Sequence, residues 1–312
     1  MTFTIRQTLN SYTGMTKRNV LLFFKDKTTL LFSMLAPIIV FLLYIIFLKN
    51  AYLDGLKDAA KDFGDLISLK DIDSVTNAWL LAGVLGTSAI TVSLNSLQVM
   101  VKDKENKIDY DYTSSPIPSV VVILAYFTGA FLNTFIITGL ILTLGLIILS
   151  LIGSLYLTFE AIILLYLVTI LASASSTIIM MVVVSFFKRS SALGAFSGII
   201  SAAIGFIIGA YIPLGEFSEV VQGLMALVPG SHISCLYRNL LMTGVIDHIN
   251  TSLNGIDAGM FAESIKNTFA LNLNMFNYIT PKSFMYLYTS GSILVALLLN
   301  TLFYKRANRR IS

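Results

Sequence analysis

The amino-acid sequence predicts an all-α membrane protein with six transmembrane helices, both termini in the cytoplasm, an N-terminal surface helix and re-entrant helices on the outer side. Three observations predict this: composition, charge-free apolar runs and the distribution of basic residues. Of 312 residues, 56% are hydrophobic and only 12% are charged, whereas soluble proteins carry about a quarter charged residues. The polar sequence is too short for a separate catalytic domain, so residues 1–312 form a single transmembrane domain.

Six runs contain no Asp, Glu, Lys, Arg or His and are long enough to cross a bilayer, which takes about 20 helical residues. They cover residues 29–48, 77–101, 119–152, 161–187, 190–215 and 283–304. The third run exceeds one untilted crossing, and we interpret it as one tilted helix that ends near Gly153. The first run starts too late and is too long for a cleaved signal peptide, so we expect it in the mature protein.

Basic residues alternate between the segments that connect these runs. One set of segments holds fourteen Lys and Arg against five acidic residues, a net charge of +9, and the other holds seven against twelve, a net charge of −5. Cytoplasmic loops are enriched in Lys and Arg, so residues 1–28, residues 102–118 and both termini are placed in the cytoplasm. Residues 49–76 and 216–282 are placed outside. The net positive charge therefore indicates orientation, and nucleic acid is not an expected partner.

Three connecting segments suggest structure of their own. Residues 1–28 mix basic and apolar side chains, which fits a helix on the cytoplasmic membrane surface or a plain basic segment that sets orientation. In residues 49–76, Asp and Lys recur three or four positions apart, as on a solvated helix with ion pairs, and a cation site is the less favoured interpretation. Pro229 and Gly230 divide an apolar stretch into two pieces of about 12 residues, a length that suits re-entrant helices.

Two transmembrane helices carry a distinctive face. On the fifth helix, small residues share one side and predict close contact with another helix, either within the chain or in a second copy. The small residues are Gly194, Gly198, Ala202, Gly205 and Gly209. On the second helix, a polar face should point away from lipid, towards a hydrogen-bonded helix contact or a translocation path. The polar residues are Thr87, Thr91, Asn95 and Gln98.

Several chemistries lack the residues that they need. The runs contain no ionisable group, which disfavours an ion-gradient-driven secondary carrier or channel, and the chain lacks the phosphate-binding loop of an ATPase. Ser231 precedes His232, and His248 is near in sequence, but nothing supplies the third group of a hydrolase. The single Cys235 cannot form an intrachain disulfide, and no Cys/His spacing suggests a metal. Any ATPase that drives this protein must therefore be a separate polypeptide.

The cytoplasmic segment from Lys102 to Pro118 reads KDKENKIDYDYTSSPIP. With the six-helix plan it resembles the ABC type-2 permeases, the membrane subunits of exporters for drugs, peptides, lipids and polysaccharides. Members of that family commonly show an acidic-x-Glu pair, then Gly-Thr, then Ser-Pro-Ile. Asp103 and Glu105 match the pair and residues 115–117 match the end, whereas Lys107 and Ile108 replace the Gly-Thr.

The resemblance implies that this chain has no catalytic residue or cofactor and docks on a separate ABC ATPase that binds ATP and Mg²⁺. It further implies a second permease subunit, in a homodimer or a heterodimer, surrounded by lipid in a bacterial plasma membrane. Closure of the ATPases would then rock the permeases between inward-facing and outward-facing states. The residues that the resemblance places against the ATPase are Lys17, Arg18, Asp103, Glu105, Tyr110 and Tyr112.

Overall fold

The computed structural model describes residues 5–308 as helices joined by short turns, with one small hairpin. Arg309 and Arg310, which the charge pattern assigns to a cytoplasmic tail, lie outside the described residues. The helices are α1 Ile5–Lys25, α2 Lys27–Leu43, α3 Lys49–Ala60, α4 Leu69–Ser96, α5 Gln98–Glu105, α6 Ile108–Ser114, α7 Ser119–Leu151, α8 Phe159–Ser185, α9 Ser190–Ile207, α10 Glu219–Ala226, α11 Pro229–Ser252, α12 Met260–Thr268 and α13 Lys282–Asn308. A π-helix (Tyr44–Leu48), 3₁₀ turns (Lys61–Leu66 and Leu214–Glu216) and a hairpin of β1 (Asn274–Met275) and β2 (Tyr278–Ile279) complete the fold.

The structure confirms an all-α membrane architecture. Within residues 5–308, five helices are long and apolar enough to cross a membrane: α4 continued by α5, α7, α8, α9 and α13. Two further pairs pass the same criterion only together, α1 with α2 across a 74° bend and α10 with α11 across a 100° bend. The number of crossings is therefore between five and seven. All six predicted runs are mainly helical, although the second is divided between α4 and α5 at Leu97.

The helix boundaries differ from the apolar runs where caps and turns intervene. α4 begins at Leu69, well before residue 77, because Ser68 and Asp71 form a capping box that starts the helix in polar sequence. α9 ends at Ile207 and does not reach residue 215, because Gly209 takes a φ of 72°. The third run is one helix that ends at Leu151, as predicted, followed by Gly153 with a φ of 70°.

The connection after the first run, which the charge pattern places outside, is mainly helical. α2 continues through the π-helix into α3, whose exposed face carries the ion pairs Asp54–Lys57 and Asp58–Lys61. Both pairs are three residues apart, which is the spacing expected of a solvated helix.

The core lies around α4, which packs against α2, α7, α8, α9 and α11. In the most apolar stretch of α4, 89% of the residues are buried, against 22% in α13 and 28% in α7. α11 is the second inner helix, between α4, α8 and α13. The break predicted at Pro229 is confirmed, since this residue begins α11, where the missing N–H is tolerated. α11 is 24 residues long, however, about twice the predicted piece.

Candidate functional site

Three helices of the chain meet at Asp103. The Arg18 guanidinium of α1 donates two hydrogen bonds to the Asp103 carboxylate, at 2.8 and 2.7 Å. Tyr126 of α7 donates a third, at 2.6 Å. The Asp103 side chain is only 3% exposed, and a buried carboxylate is stable only with such partners. This cluster therefore joins α1, α5 and α7.

The packing of α1 on α7 depends on a glycine. A Cβ atom at Gly129 would lie 2.8 Å from the Cβ of Asn19, so only glycine lets the two helices approach this closely. Asn19 donates a hydrogen bond to the Ala125 carbonyl at 3.3 Å. This contact holds α1 on α7 and brings Arg18 within reach of α5.

A second ion pair joins α5 to the start of α2. Asp26 lies between α1 and α2 and accepts hydrogen bonds from the Thr29 amide at 3.0 Å and the Thr29 hydroxyl at 2.8 Å. The Lys102 ammonium donates to the same carboxylate at 2.6 Å. Partial burial acts to raise the pKa of Asp26, but the hydrogen bonds from Lys102 and Thr29 outweigh it and lower the pKa to about 2. Asp26 is therefore both the N-cap of α2 and the anchor of Lys102.

Glu105 connects the same segment to α9. Its carboxylate accepts a hydrogen bond at 2.9 Å from the backbone amide of Ser190, the first residue of α9. A carboxylate there also interacts favourably with the partial positive charge at a helix N-terminus. The segment from α5 to α6 is thus tied to α1, α2, α7 and α9.

The turn between α5 and α6 keeps the backbone conformation that glycine favours. Lys107 stands where the resemblance expects the glycine of Gly-Thr, and its φ is 61°. This left-handed conformation is uncommon for residues other than glycine. The turn is therefore formed by a lysine at some conformational cost.

The six residues that the resemblance places against an ATPase divide into two groups. Arg18 and Asp103 bind each other and hold helices of this chain together. Tyr112 is partly buried against the cluster around Met15 and Val101. The second group is exposed to solvent and consists of Lys17, Glu105 and Tyr110. Tyr110 is 52% exposed.

The predicted polar face contacts other helices of the same chain. The Thr91 hydroxyl donates to the Ser33 carbonyl of α2 at 2.8 Å, and Thr87 bonds carbonyls of its own helix. Asn95 accepts from Ser197 of α9 at 2.9 Å. Gln98 belongs to α5, because the helix breaks at Leu97, and its side-chain oxygen lies 2.8 Å from the Thr29 hydroxyl of α2. Three of the four side chains, Thr91, Asn95 and Gln98, thus lie where α4 and α5 meet α2 and α9.

The small residues of the fifth run do not share one environment. A Cβ atom added at Gly194 or Gly198 would meet no other atom within 4 Å, and Ala202 is exposed. Gly205 faces the ring of Tyr211, and Gly209 lies in the turn beyond α9, against Leu214. The first three leave an open strip on α9, whereas the last two pack within the chain.

Ser231 and His232 do not form a catalytic pair. The Ser231 hydroxyl lies within hydrogen-bond distance of the Ile207 and Met225 carbonyls, at 3.1 and 2.7 Å. His232 Nε2 lies 2.7 Å from the Ala226 carbonyl, and its ring stacks on Tyr288. His248 lies elsewhere, stacked on Tyr156.

Arg238 joins the ends of two helices, a role that the sequence analysis missed. Its buried guanidinium donates to the carbonyls of Phe269 at 2.7 Å and of Ile208 at 3.3 Å. These two residues are the C-caps of α12 and α9, where helices carry partial negative charge. Sequence reasoning treated Arg238 as an ordinary outer-loop charge, and its place between apolar residues was the available signal.

Asp26, Lys102 and Tyr126 were also missed as site residues. A signal existed for Asp26, because an Asp three residues before Thr29 at the start of an apolar run is typical of an N-cap. Tyr126 lies inside an apolar run and gives no such signal.

Comparison with known protein families gives a match. A family described as ABC-2 family transporter protein matches residues 68–300, which is well over half of the chain. The match begins at the cap of α4 and extends into α13. A search of curated proteins finds no match.

Proposed function

This chain belongs to the ABC-2 family of transporter proteins, and from that premise we propose that it is the membrane-spanning permease subunit of an exporter driven by a separate ATPase. Family membership and the apolar helices make it a multi-pass membrane protein and a component of an ABC transporter. ATP and Mg²⁺ bind to the partner ATPase, and this chain contributes no catalytic group. The exporter works in a bacterial plasma membrane.

The observation that carries the proposal is the connection of one cytoplasmic segment to four helices. Asp103 holds α1 and α7, Lys102 holds the start of α2, and Glu105 holds the start of α9. A force applied to α5 and α6 is therefore passed to helices on several sides of the core. Such a segment suits a subunit that a partner moves as a rigid body.

The ATPase docks on the open side of this segment. Lys17 supplies a cation there, and Tyr110 supplies a half-exposed aromatic ring of the kind that is enriched at protein interfaces. Arg18 and Asp103 act behind that surface by keeping α1 and α5 in register.

A second permease subunit, identical or not, packs on the open strip of Gly194, Gly198 and Ala202, where a helix can approach the α9 backbone closely. Lipid covers the other apolar faces. The translocation path runs along Thr87, Thr91, Asn95 and Gln98, and α2 and α9 close it in this structure. Substrate passes when ATPase closure moves α2 or α9 away from α4.

The test is purification of the chain from its native membrane, followed by reconstitution with the ATPase that accompanies it. We expect co-purification and ATP hydrolysis that the permease stimulates. With Cys235 replaced by Ala, Y110C should cross-link to the ATPase, whereas D58C on the exposed face of α3 should not. If the chain brings no ATPase and transport follows an ion gradient while ignoring ATP, the protein is a secondary carrier or a channel.

A further inference from the structure

A cavity of about 240 Å³ lies between the cytoplasmic ends of α1, α2 and α5. One side of its wall is charged and is formed by Arg18, Asp26, Lys102 and Asp103. The other side is apolar and includes Leu22 and Val99. Sites for drug-sized ligands are usually about 300–1,000 Å³, so this cavity admits a small polar group rather than a whole drug molecule.

The charged side presents both signs in accessible positions. The side chains of Lys102 and Asp26, which pair at 2.6 Å, remain 42% and 33% exposed. Lys102 has three N–H donors and gives one of them to Asp26. The Asp26 carboxylate would repel a simple anion, and the Lys102 ammonium would repel a simple cation. A ligand that carries both charges can pair with both side chains.

Gln98 adds a neutral donor to the wall. Its side-chain oxygen lies 2.8 Å from the Thr29 hydroxyl, and its amide group carries two N–H donors. Gln98 lines the cavity, so this amide can donate to an acceptor bound there. The wall therefore offers the Lys102 ammonium and an amide to an anionic group, and the Asp26 carboxylate to a cationic group.

The cavity lies beside the bend that separates α1 from the first apolar run. Asp26 lies at this 74° bend between α1 and α2, and the apolar run begins three residues later, at residue 29. Leu22 lines the cavity and is 40% exposed, next to Leu21, which is 44% exposed. An amphiphile whose polar end enters the cavity can therefore place its apolar chains on α1.

We propose that this cavity binds the headgroup of a cytoplasmic-leaflet phospholipid that carries a primary ammonium, as phosphatidylethanolamine does. The ammonium donates hydrogen bonds to Asp26, and the phosphate accepts them from Lys102 and Gln98. Phosphatidylcholine lacks the N–H donors, and phosphatidylglycerol lacks the cation. The bound lipid bridges α1, α2 and α5. The inference uses the cytoplasmic placement of α1 and does not depend on transport.

The test is native mass spectrometry of the purified chain from nanodiscs that contain equal amounts of phosphatidylethanolamine, phosphatidylcholine and phosphatidylglycerol. We expect phosphatidylethanolamine to be retained about tenfold more than the other two, which is the effect of one charge-assisted hydrogen bond. The variant D26N/K102Q should lose this preference, although Asn still caps α2. The variant V99F should lose it too, because the larger side chain fills the cavity and leaves the ion pairs intact.

The matched control is D54N/K57Q, which neutralises an exposed ion pair on α3 and should keep the preference. Equal retention of the three lipids, greater retention of phosphatidylglycerol, or an unchanged preference in V99F would overturn the inference, even if D26N/K102Q fails to fold. Soluble glycerophosphoethanolamine should displace the lipid only at much higher concentration, and displacement at equal concentration would assign the site to a free solute. No readout involves the ATPase, so failure here leaves the proposed function intact.

Discussion

Replacing Arg18 by Met should destabilise the protein through the carboxylate that it leaves behind. Asp103 would keep only the hydrogen bond from Tyr126, in a position where its side chain is 3% exposed. Removing one partner of a buried ion pair costs about 3–5 kcal/mol. Arg18 itself is 32% exposed, so water partly screens the pair. We therefore expect a loss of about 3 kcal/mol, measured by reversible unfolding in mixed detergent micelles.

A double-mutant cycle separates this pair from its surroundings. The variants R18M, D103N and R18M/D103N should be non-additive by at least about 1 kcal/mol, because the double variant no longer buries an unpaired charge. The exposed pair on α3 provides the control, and D54N should change stability by at most about 1 kcal/mol. A loss below about 0.5 kcal/mol for R18M, or additive losses in the cycle, would refute the reasoning.

The same variants distinguish internal contact from ATPase contact. If Arg18 and Asp103 act mainly by holding helices together, R18M should lower stability and ATPase stimulation together. K17A and Y110A should weaken co-purification with the ATPase and leave the free energy of unfolding within about 0.5 kcal/mol of the original value. Normal stability with lost co-purification in R18M would instead place Arg18 at the interface with the ATPase.

Three further predictions concern other parts of the chain. R238M should lower the free energy of unfolding by about 3 kcal/mol, because it leaves the C-cap carbonyls of Ile208 and Phe269 without a donor. The buried Cys235 should then react faster with a maleimide, and an unchanged labelling rate would contradict this role of Arg238. G244A should cost about 1–3 kcal/mol in an unfolding assay, because the added methyl group meets the Tyr156 carbonyl, whereas G194A, with open space, should be neutral in the single chain. The stability that Asp26 contributes is present above its unfolded pKa of 3.8 and should be lost as the pH falls through its folded pKa of about 2; thermal unfolding of D26N should lack this component.

The sequence located the elements because hydropathy and turn chemistry are local. Charge-free runs of about 20 residues can form only helices in lipid, since their backbone groups must bond internally. Each run is accordingly mainly helical, although the second is divided at Leu97. The break at Pro229 followed from the missing N–H of proline, and the single helix from Ser119 to Leu151 followed from the absence of any interruption.

The partners of polar side chains could not be predicted in the same way. The acidic pair was recognised from its motif, yet Asp103 binds a residue 85 positions away and Glu105 caps a helix that begins 85 positions later. Trp79 shows the same limit. Tryptophan is typical of membrane–water interfaces, but Trp79 is 1% exposed and donates to the Gly209 carbonyl at 3.1 Å.

By itself, the sequence determined a membrane-embedded helical chain, and it pointed to the family through residues 102–118. Only the tertiary structure decided that Arg18 and Asp103 fasten the chain's own helices, that Arg238 holds the ends of α9 and α12, and that a cavity forms beside Asp26. The physical reason is that helix formation depends on neighbours along the chain, whereas the satisfaction of a buried charge depends on which helix packs against it.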